Sequence, residues 1–393
     1  MLEIDNIEIK TTEKVLDAVR QSGWDGLLLF GYDNIQYAGG AFLPFLPYRK
    51  DLRTAVFAGK SGEMVYICPA ELASSARKLG KIKNIRTYVS SGKCPRNFIA
   101  AVAETVCGCK TLGIDCERVS HRLFTALQKA AEGIAFESAD SLIRDLRQVK
   151  SCCEIKLLSE VAYVADHGIN GVLHHAMGNS PRSMLGLAEE VRVHEMERGL
   201  YSGYNAVAHV YGHDMNHAHY PKCHSYGNNY GFSPIERLDP YDICKIRYDG
   251  VSDGYWSNSC RLFHYKAPNA EQEAAYAKWF EMRNFMLSII KPGVKCSEVY
   301  EKTFAYAESH DIVLDKGTLL GHAVGVTPVE GPFFEAEDDT EIKEDMILVI
   351  SPAIMDGKES IQSNDTIRVT SEGSVVLNWW KDWREPYTGI AEL

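Results

Sequence analysis

The stretch Arg247-Tyr-Asp-Gly-Val-Ser-Asp-Gly-Tyr-Trp-Ser-Asn258-Ser-Cys-Arg261 decides how this chain is interpreted. A strand is predicted at 242–247, so the stretch begins where a strand ends. Its first and twelfth residues, Arg247 and Asn258, matter most for function. An arginine side chain has no lone pair and stays protonated in proteins, so Arg247 cannot bind a metal ion.

Four more pieces of sequence extend this pattern in both directions along the chain. They are Asp25-Gly-Leu-Leu-Leu-Phe30 with Tyr32-Asp-Asn-Ile-Gln-Tyr37, the segment around Lys150, Ile290-Lys-Pro-Gly-Val294, and Gly321-His322-Ala-Val-Gly325. In order and spacing, the five pieces resemble the pita-bread family, which includes creatinase, prolidase, aminopeptidase P and methionine aminopeptidase. The resemblance covers nearly the whole chain.

The resemblance implies an α/β (α+β) chain of two domains. Residues 1–150 would form a small α/β domain of the creatinase N-terminal type, and residues 151–393 a pita-bread domain of the catalytic type. The residue patterns agree with this division. They predict helices at 11–22, 154–177, 183–198, 271–290 and 297–309, and strands at 26–30, 54–58, 64–68, 112–115, 242–247, 347–350 and 366–370.

The resemblance also identifies the positions that bind two metal ions in the family's peptidases, which use two aspartates, one histidine and two glutamates. Here those positions hold Arg247, Asn258, His322, Ser351 and Asn364. Only the histidine is kept, and four anionic ligands have become one cation and three neutral groups. The family's second histidine, seven residues after the first, is Val329. We therefore predict no metal, no cofactor and no metallopeptidase activity.

The replacements suggest a ligand with a carboxylate. Arg247 could bind a carboxylate through two parallel hydrogen bonds, and Asn258, Ser351 and Asn364 could bind an amide, a hydroxyl or a carboxylate. The alternative is that Arg247 only pairs with a nearby acid, Asp249, Asp253 or Glu330, and fills the space that the metal ions leave.

His322 is the first candidate for acid–base catalysis, because imidazole titrates near neutral pH. It could equally be a residue left over from a metal site. Glu330, eight positions later, could orient His322 or act as a base. Tyr230 and Tyr255 could donate phenolic hydrogen bonds, or could be ordinary core aromatics. In creatinase the catalytic histidine would fall near Tyr230, where this chain has no histidine.

Five histidines lie between positions 209 and 224, at His209, His213, His217, His219 and His224. Their spacing matches no zinc motif, although His-x3-His and His-x-His pairs could hold a metal. The resemblance places this segment in a loop that approaches the substrate. His224 or His219 could then replace the missing catalytic histidine, or the set could have no chemical role.

A loop rich in proline and aromatic residues, 42–53, contains Arg49 and Arg53. In creatinase-like dimers the matching segment reaches into the site of the neighbouring subunit. Arg49 or Arg53 could bind a substrate carboxylate there, or the loop could be a solvated turn. The resemblance thus implies a homodimer in which the N-terminal domain of one subunit lies near the site of the other.

Composition narrows the possible partners. The net charge of −11 argues against general binding to nucleic acid or to anionic membranes. No stretch approaches twenty consecutive apolar residues, and the N-terminus lacks the apolar core of a signal peptide. We expect a cytoplasmic protein, with its eleven cysteines mostly reduced.

These observations together predict a metal-independent, creatinase-like hydrolase that cleaves a non-peptide C–N bond in a small carboxylated or zwitterionic metabolite. Two alternatives remain open from the sequence. One is a catalytically inactive pita-bread protein that serves as a binding module. The other is a lyase that acts on a similar small zwitterion.

Overall fold

The computed structural model describes residues 11–49, 51–90, 96–176, 189–193, 209–212, 243–264, 269–356 and 359–378. The chain divides into two compact units, one of residues 8–147 and one formed mainly by residues 148–393. Each unit has its own hydrophobic core. This is the two-domain α/β architecture that the sequence predicts.

The first unit is built on a six-stranded mixed sheet. Its strands are β1 (Gly26–Leu29), β2 (Ala55–Gly59), β3 (Met64–Pro69), β4 (Ile85–Tyr88), β5 (Thr111–Ile114) and β6 (Ala135–Ser138), in the order β4-β3-β2-β1-β5-β6. Its helices are α1 (Thr11–Gln21), α2 (Tyr32–Tyr37), α3 (Ala73–Leu79), α4 (Arg96–Thr105), α5 (His121–Ala130) and α6 (Asp140–Gln148). The four residues of β1 are all buried, because this apolar run lies in the middle of the sheet.

The second unit has three long helices, α7 (Cys152–Ala176), α8 (Ala270–Ile289) and α9 (Cys296–Ser309). Asn269 begins α8 with a capping box, in which its side chain accepts from the backbone of Gln272 and the Gln272 side chain accepts in return. The predicted helices 154–177, 271–290 and 297–309 agree with these bounds within two residues. The prediction for 183–198 lies outside the described residues, apart from a short helical segment at 189–193.

Several small antiparallel sheets complete the second unit. The strands are β7 (His209–Gly212), β8 (Ile243–Tyr248), β9 (Val251–Ser252), β10 (Tyr255–Trp256), β11 (Ser259–His264), β12 (Val313–Leu314), β13 (Gly321–Ala323), β14 (Glu330–Phe333), β15 (Ile347–Ile350), β16 (Ala353–Asp356), β17 (Glu359–Gln362), β18 (Asp365–Thr370) and β19 (Gly373–Val376). The largest of these sheets has the order β14-β13-β15-β18-β19, and a second has the order β11-β8-β7.

One short contact joins these two sheets and positions the residues of the site. The backbone of Asn364, just before β18, pairs with Cys260 in β11, and its N–H donates to the Cys260 carbonyl at 3.1 Å. Within the larger sheet, His322 in β13 pairs with Val349 in β15. Strand ends from both sheets therefore meet in one place.

Beneath that meeting point lies a buried group of two arginines and two aspartates. Arg261 of β11 contacts Asp166 of α7 at 2.6 Å and Asp365 of β18 at 3.4 Å, and Arg283 of α8 also binds Asp365. Arg261 in addition donates to the backbone carbonyl of Asn364. All four charged side chains are buried. Since buried charges are tolerated only when they are paired, this group ties two helices to both sheets at the site.

The helices that the structure describes include none that is both long enough and apolar enough to cross a membrane.

Candidate functional site

Four neutral polar side chains form a continuous hydrogen-bonded row where the strand ends meet. Gln362 Nε2 donates to Ser351 Oγ at 3.0 Å, and Ser351 Oγ donates to Asn364 Oδ1 at 2.6 Å. Asn364 Nδ2 then donates to Asn258 Oδ1 at 2.6 Å. At most 5% of any of these residues is exposed. We call these four residues the amide row.

His322 stands at the end of the amide row. Its Nδ1 lies 2.8 Å from the carbonyl oxygen of Ala323, and Nε2 lies 3.4 Å from Asn258 Nδ2. A carbonyl oxygen can only accept, so we assign the proton to Nδ1 and the lone pair to Nε2, where it accepts from Asn258 Nδ2. Asn258 Nδ2 also donates to the Pro328 carbonyl at 3.1 Å. Every hydrogen bond in the row thus points toward the imidazole.

The imidazole of His322 is neutral at pH 7. Its pKa is lowered to about 4, mainly by burial and also by the nearby cation of Arg247, while the hydrogen bond to Ala323 and the charge of Glu330 oppose the change. The structure therefore brings His322, Arg247 and Glu330 into one neighbourhood. With a pKa this low, the imidazole is a weak base at neutral pH, and Nε2 serves there as a hydrogen-bond acceptor.

Arg247, in the middle of this neighbourhood, forms a buried ion pair. Its Nε lies 3.2 Å from Asp249 Oδ2, and Asp249 is the first residue after β8. Burial raises the pKa of Asp249, and the Arg247 charge opposes the rise. Pairing with Asp249 is one of the alternatives that the sequence leaves open for Arg247. A role in binding a carboxylate stays a prediction.

Glu330 forms an ion pair and a hydrogen bond with two residues that the sequence did not link to it. Lys150 Nζ lies 3.1 Å from Glu330 Oε1, and Thr327 Oγ1 donates to Oε2 at 3.2 Å. Only 1% of the Lys150 side chain and 10% of the Glu330 side chain are exposed. The hydrogen bonds described for His322 go to Ala323 and Asn258, so Glu330 acts on His322 through its charge.

Tyr255 is buried and its hydroxyl donates to Glu154 Oε1 at 3.0 Å. Glu154 also accepts from the backbone N–H and the hydroxyl of Ser151, both at 2.8 Å, and so caps the start of α7. Tyr255 therefore fixes the first turn of α7. Its predicted role as a donor to substrate stays a prediction.

The roles predicted for the remaining residues stay predictions. His224 and Tyr230 lie outside the described residues, as does most of the histidine cluster, although the backbone of His209 in β7 pairs with Arg247. Arg49 is exposed in the first unit, where it pairs with Asp51 at 2.7 Å. In the same unit the backbone of Arg53 exchanges hydrogen bonds with the Tyr88 hydroxyl.

The described residues do not fit a pair of metal ions at this place. Among them, no group of three or more histidine, cysteine, aspartate or glutamate side chains is arranged to hold a metal. Arg247 brings a positive charge, and the 2.6 Å bond between Asn364 and Asn258 fills the space between two of the predicted ligand positions. Neutral amides and a hydroxyl also supply no negative charge to balance two divalent cations.

Comparison with known protein families settles the membership of the chain. The family described as Metallopeptidase family M24 matches residues 156–371, more than half of the sequence, and the Creatinase/Prolidase N-terminal domain matches residues 12–149. This chain belongs to metallopeptidase family M24. The resemblance stated from the sequence is thereby confirmed.

Several proteins resemble this M24 chain over most of its length. An Xaa-Pro dipeptidase of Pyrococcus horikoshii is 24% identical over 276 residues, which cover 68% of this chain and 72% of that protein. The solved Xaa-Pro dipeptidase from Bacillus anthracis has a TM-score of 0.75 at 21% identity, covering 95% of this chain and 98% of that one. The X-Pro aminopeptidase from Thermotoga maritima has a TM-score of 0.77 at 16% identity, covering 94% and 98%. At this identity the solved structures establish the fold.

The comparisons contradict the function predicted from the sequence. A creatinase-like, metal-independent hydrolase of non-peptide C–N bonds that is not a metallopeptidase is the wrong class, because the family is one of metallopeptidases and the relatives are named as dipeptidases or peptidases. The same finding gives no support to the two alternatives, an inactive binding module and a lyase. The side chains at the replaced ligand positions argue only against binding of the family's metal ions. They did not justify a conclusion about the bond that the protein acts on.

Proposed function

We propose that this M24 chain takes short peptides of dipeptide size as substrates and acts on their peptide bond. The relatives support this substrate class, since they are named as dipeptidases, Xaa-Pro dipeptidases and peptidases. The structural observation that carries the proposal is the amide row beside His322, in which Asn364 keeps one N–H and one oxygen lone pair that can pair with a peptide group.

The amide row suits a peptide group for a simple chemical reason. A side-chain amide presents the same N–H and C=O groups as the backbone, so the second N–H of Asn364 and the second lone pair of its oxygen can pair with a peptide bond. Because the row is buried, hydrogen bonds made there meet little competition from water. The internal bonds of the row also fix each amide in one orientation before a ligand arrives.

His322 and Arg247 supply the other two functions that a peptide substrate requires. The neutral Nε2 of His322 acts as a hydrogen-bond acceptor, and the orientation of the ring is fixed by the bond from Nδ1 to Ala323. Arg247 provides a positive charge for a peptide carboxylate, with Asp249 holding the guanidinium in position. The described residues do not fit the metal pair of the family, so the proposal assigns no step to a metal ion.

The proposal includes a homodimer and a cytoplasmic location. In this dimer, Arg49 or Arg53 from one subunit would lie near the site of the other and help to bind the carboxylate end of the peptide. Static light scattering on the full chain measures the oligomeric state. A monomer at micromolar concentration would contradict this part of the proposal.

A panel of dipeptides tests the activity. The purified chain would be incubated with Xaa-Pro and other dipeptides, in parallel with a chelator, with Mn²⁺ and with Co²⁺, and free amino acids would be measured by mass spectrometry. We expect release from at least one class of dipeptide. The absence of both release and a thermal shift with every dipeptide, under all three conditions, would contradict the proposal.

A further inference from the structure

A pair of neighbouring thiols lies at the start of α7. The Sγ atoms of Cys152 and Cys153 are 3.9 Å apart, with Cys152 exposed and Cys153 partly exposed. We propose that this pair is a binding site for thiophilic compounds that take two sulfur ligands, specifically trivalent arsenicals.

The distance between the two sulfurs is informative because of helix geometry. Consecutive residues on a helix point in directions about 100° apart, so their side chains ordinarily diverge. Here both thiols turn toward each other, which is the arrangement that a single atom bridging them requires. Two sulfur ligands that are already close lose little conformational freedom when they bind one atom.

The backbone around the pair is held in place on both sides. Cys152 and Cys153 occupy the two positions between Ser151 and Glu154, whose side chains and backbone form the reciprocal bonds of a capping box. Glu154 is in turn bound by the hydroxyl of Tyr255. The pair therefore sits on a fixed first turn of a long helix and is open to solvent on the side of Cys152.

The reaction of the two thiols with a trivalent arsenical requires no oxidant. Phenylarsine oxide reacts with two thiols so that two S–H bonds and the As–O bonds break and two As–S bonds form. The oxygen leaves as water with both thiol protons, and arsenic remains trivalent. A compound with one thiol reverses this reaction poorly, whereas a dithiol such as 2,3-dimercaptopropanol removes the arsenic, because the competing ligand must also supply two sulfurs.

The residues beside the thiol pair connect it to the candidate site. Lys150, two positions before Cys152, pairs with Glu330, and Glu154, one position after Cys153, binds Tyr255. Bonding to one arsenic atom draws the two sulfurs closer than 3.9 Å. This movement distorts the first turn of α7, which lies between these two contacts. Occupation of the thiol pair is thus expected to loosen the amides of residues 150–156.

Intact-mass spectrometry tests the proposal on the full chain after reduction and removal of the reductant. We expect one phenylarsine oxide per chain at low molar excess, released by 2,3-dimercaptopropanol, and loss of this adduct in both Cys152→Ser and Cys153→Ser. The matched control is Cys107→Ser, which alters another closely spaced pair, Cys107 and Cys109, and is expected to keep the adduct. Retention of the adduct in Cys152→Ser, or its loss in Cys107→Ser, would overturn the assignment.

Hydrogen exchange provides a second readout that does not depend on the variants. The adduct is expected to increase exchange in peptides that cover residues 150–156 and to leave peptides from α9 unchanged. Unchanged exchange at 150–156 with the adduct in place would contradict the connection to the site. This exchange result does not depend on whether the protein acts on peptides.

Discussion

Asn364 Nδ2 donates a hydrogen bond of 2.6 Å to Asn258 Oδ1, and both residues are buried. The resemblance to the peptidases of the family assigns an acidic metal ligand to each of these positions. In this chain the two side chains are joined directly to one another, and they link Ser351 to His322. The site is therefore organised around hydrogen bonds between neutral groups.

The bond between Asn364 and Asn258 predicts a measurable coupling. Each single change, Asn258→Ala or Asn364→Ala, leaves a buried partner without its hydrogen bond and is expected to lower the free energy of unfolding by about 1–3 kcal/mol. The double variant should be less destabilised than the sum, by about 1 kcal/mol, because the second change removes a group that is already unpaired. Urea unfolding of the four proteins measures the coupling. Strictly additive losses would show that the two amides do not interact.

His322 predicts a loss of stability in acid. Its pKa is lowered to about 4 in the folded protein, whereas an unfolded histidine has a pKa of about 6.5. The folded state therefore binds fewer protons, and its stabilising contribution is complete above pH 6.5 and is lost as the pH falls toward 4. The loss should reach about 3 kcal/mol.

Comparison with His322→Gln isolates this contribution, because glutamine does not titrate. The difference in unfolding free energy between the two proteins should shrink or reverse between pH 7 and pH 4 in chemical denaturation. A difference that is independent of pH would contradict a neutral, buried imidazole at this position.

The buried pair of Lys150 and Glu330 predicts an asymmetry between single and double replacements. Lys150→Met leaves the Glu330 carboxylate without its cation and is expected to cost about 3–5 kcal/mol of unfolding free energy. Lys150→Met combined with Glu330→Gln should cost less than Lys150→Met alone, because no uncompensated charge stays buried. The exposed pair of Lys302 and Glu298 is the control, and Lys302→Met should change stability by less than about 1 kcal/mol. An equal effect of the buried and exposed changes would refute this assignment.

Arg247 predicts a preference for peptides with a free carboxylate. Replacement by methionine in Arg247→Met removes the cation, and the binding constant for a dipeptide should weaken by at least tenfold, while binding of the corresponding dipeptide amide should change little. Asp249 loses its partner in this variant, so stability is measured alongside by thermal unfolding. Equal loss of affinity for the free acid and the amide would show that Arg247 does not recognise the carboxylate.

Much of the fold follows from local patterns in the sequence. The amphipathic spacing predicts α7 and α8 within two residues of the observed bounds, and the apolar run 347–350 is the strand β15. These features depend on periodicity within one segment, which a single sequence contains. The resemblance to the family also predicted that positions 247, 258, 322, 351 and 364 lie together. In the structure, a continuous series of hydrogen bonds joins four of them, Ser351, Asn364, Asn258 and His322.

The partners of those residues could not be obtained in the same way. Gln362 joins the amide row from the end of β17, and no local pattern marks it. Lys150 and Glu330 are separated by 180 positions, and the Lys150 backbone is positioned by pairing with a distant segment, where its N–H donates to the Asp345 carbonyl. Likewise, the substrate class depended on comparison with relatives, since the altered ligand positions alone led to the wrong class of hydrolase.

The most direct test of the proposed function compares rates on the best dipeptide from the panel. We expect Asn364→Ala to lower kcat/KM at least tenfold, which corresponds to about 1.4 kcal/mol of transition-state stabilisation. Asn97→Ala, which removes an exposed amide in the first unit, should leave the rate unchanged. If folded Asn364→Ala protein releases amino acids as fast as the unaltered chain, the amide row is not the place where the peptide bond is bound.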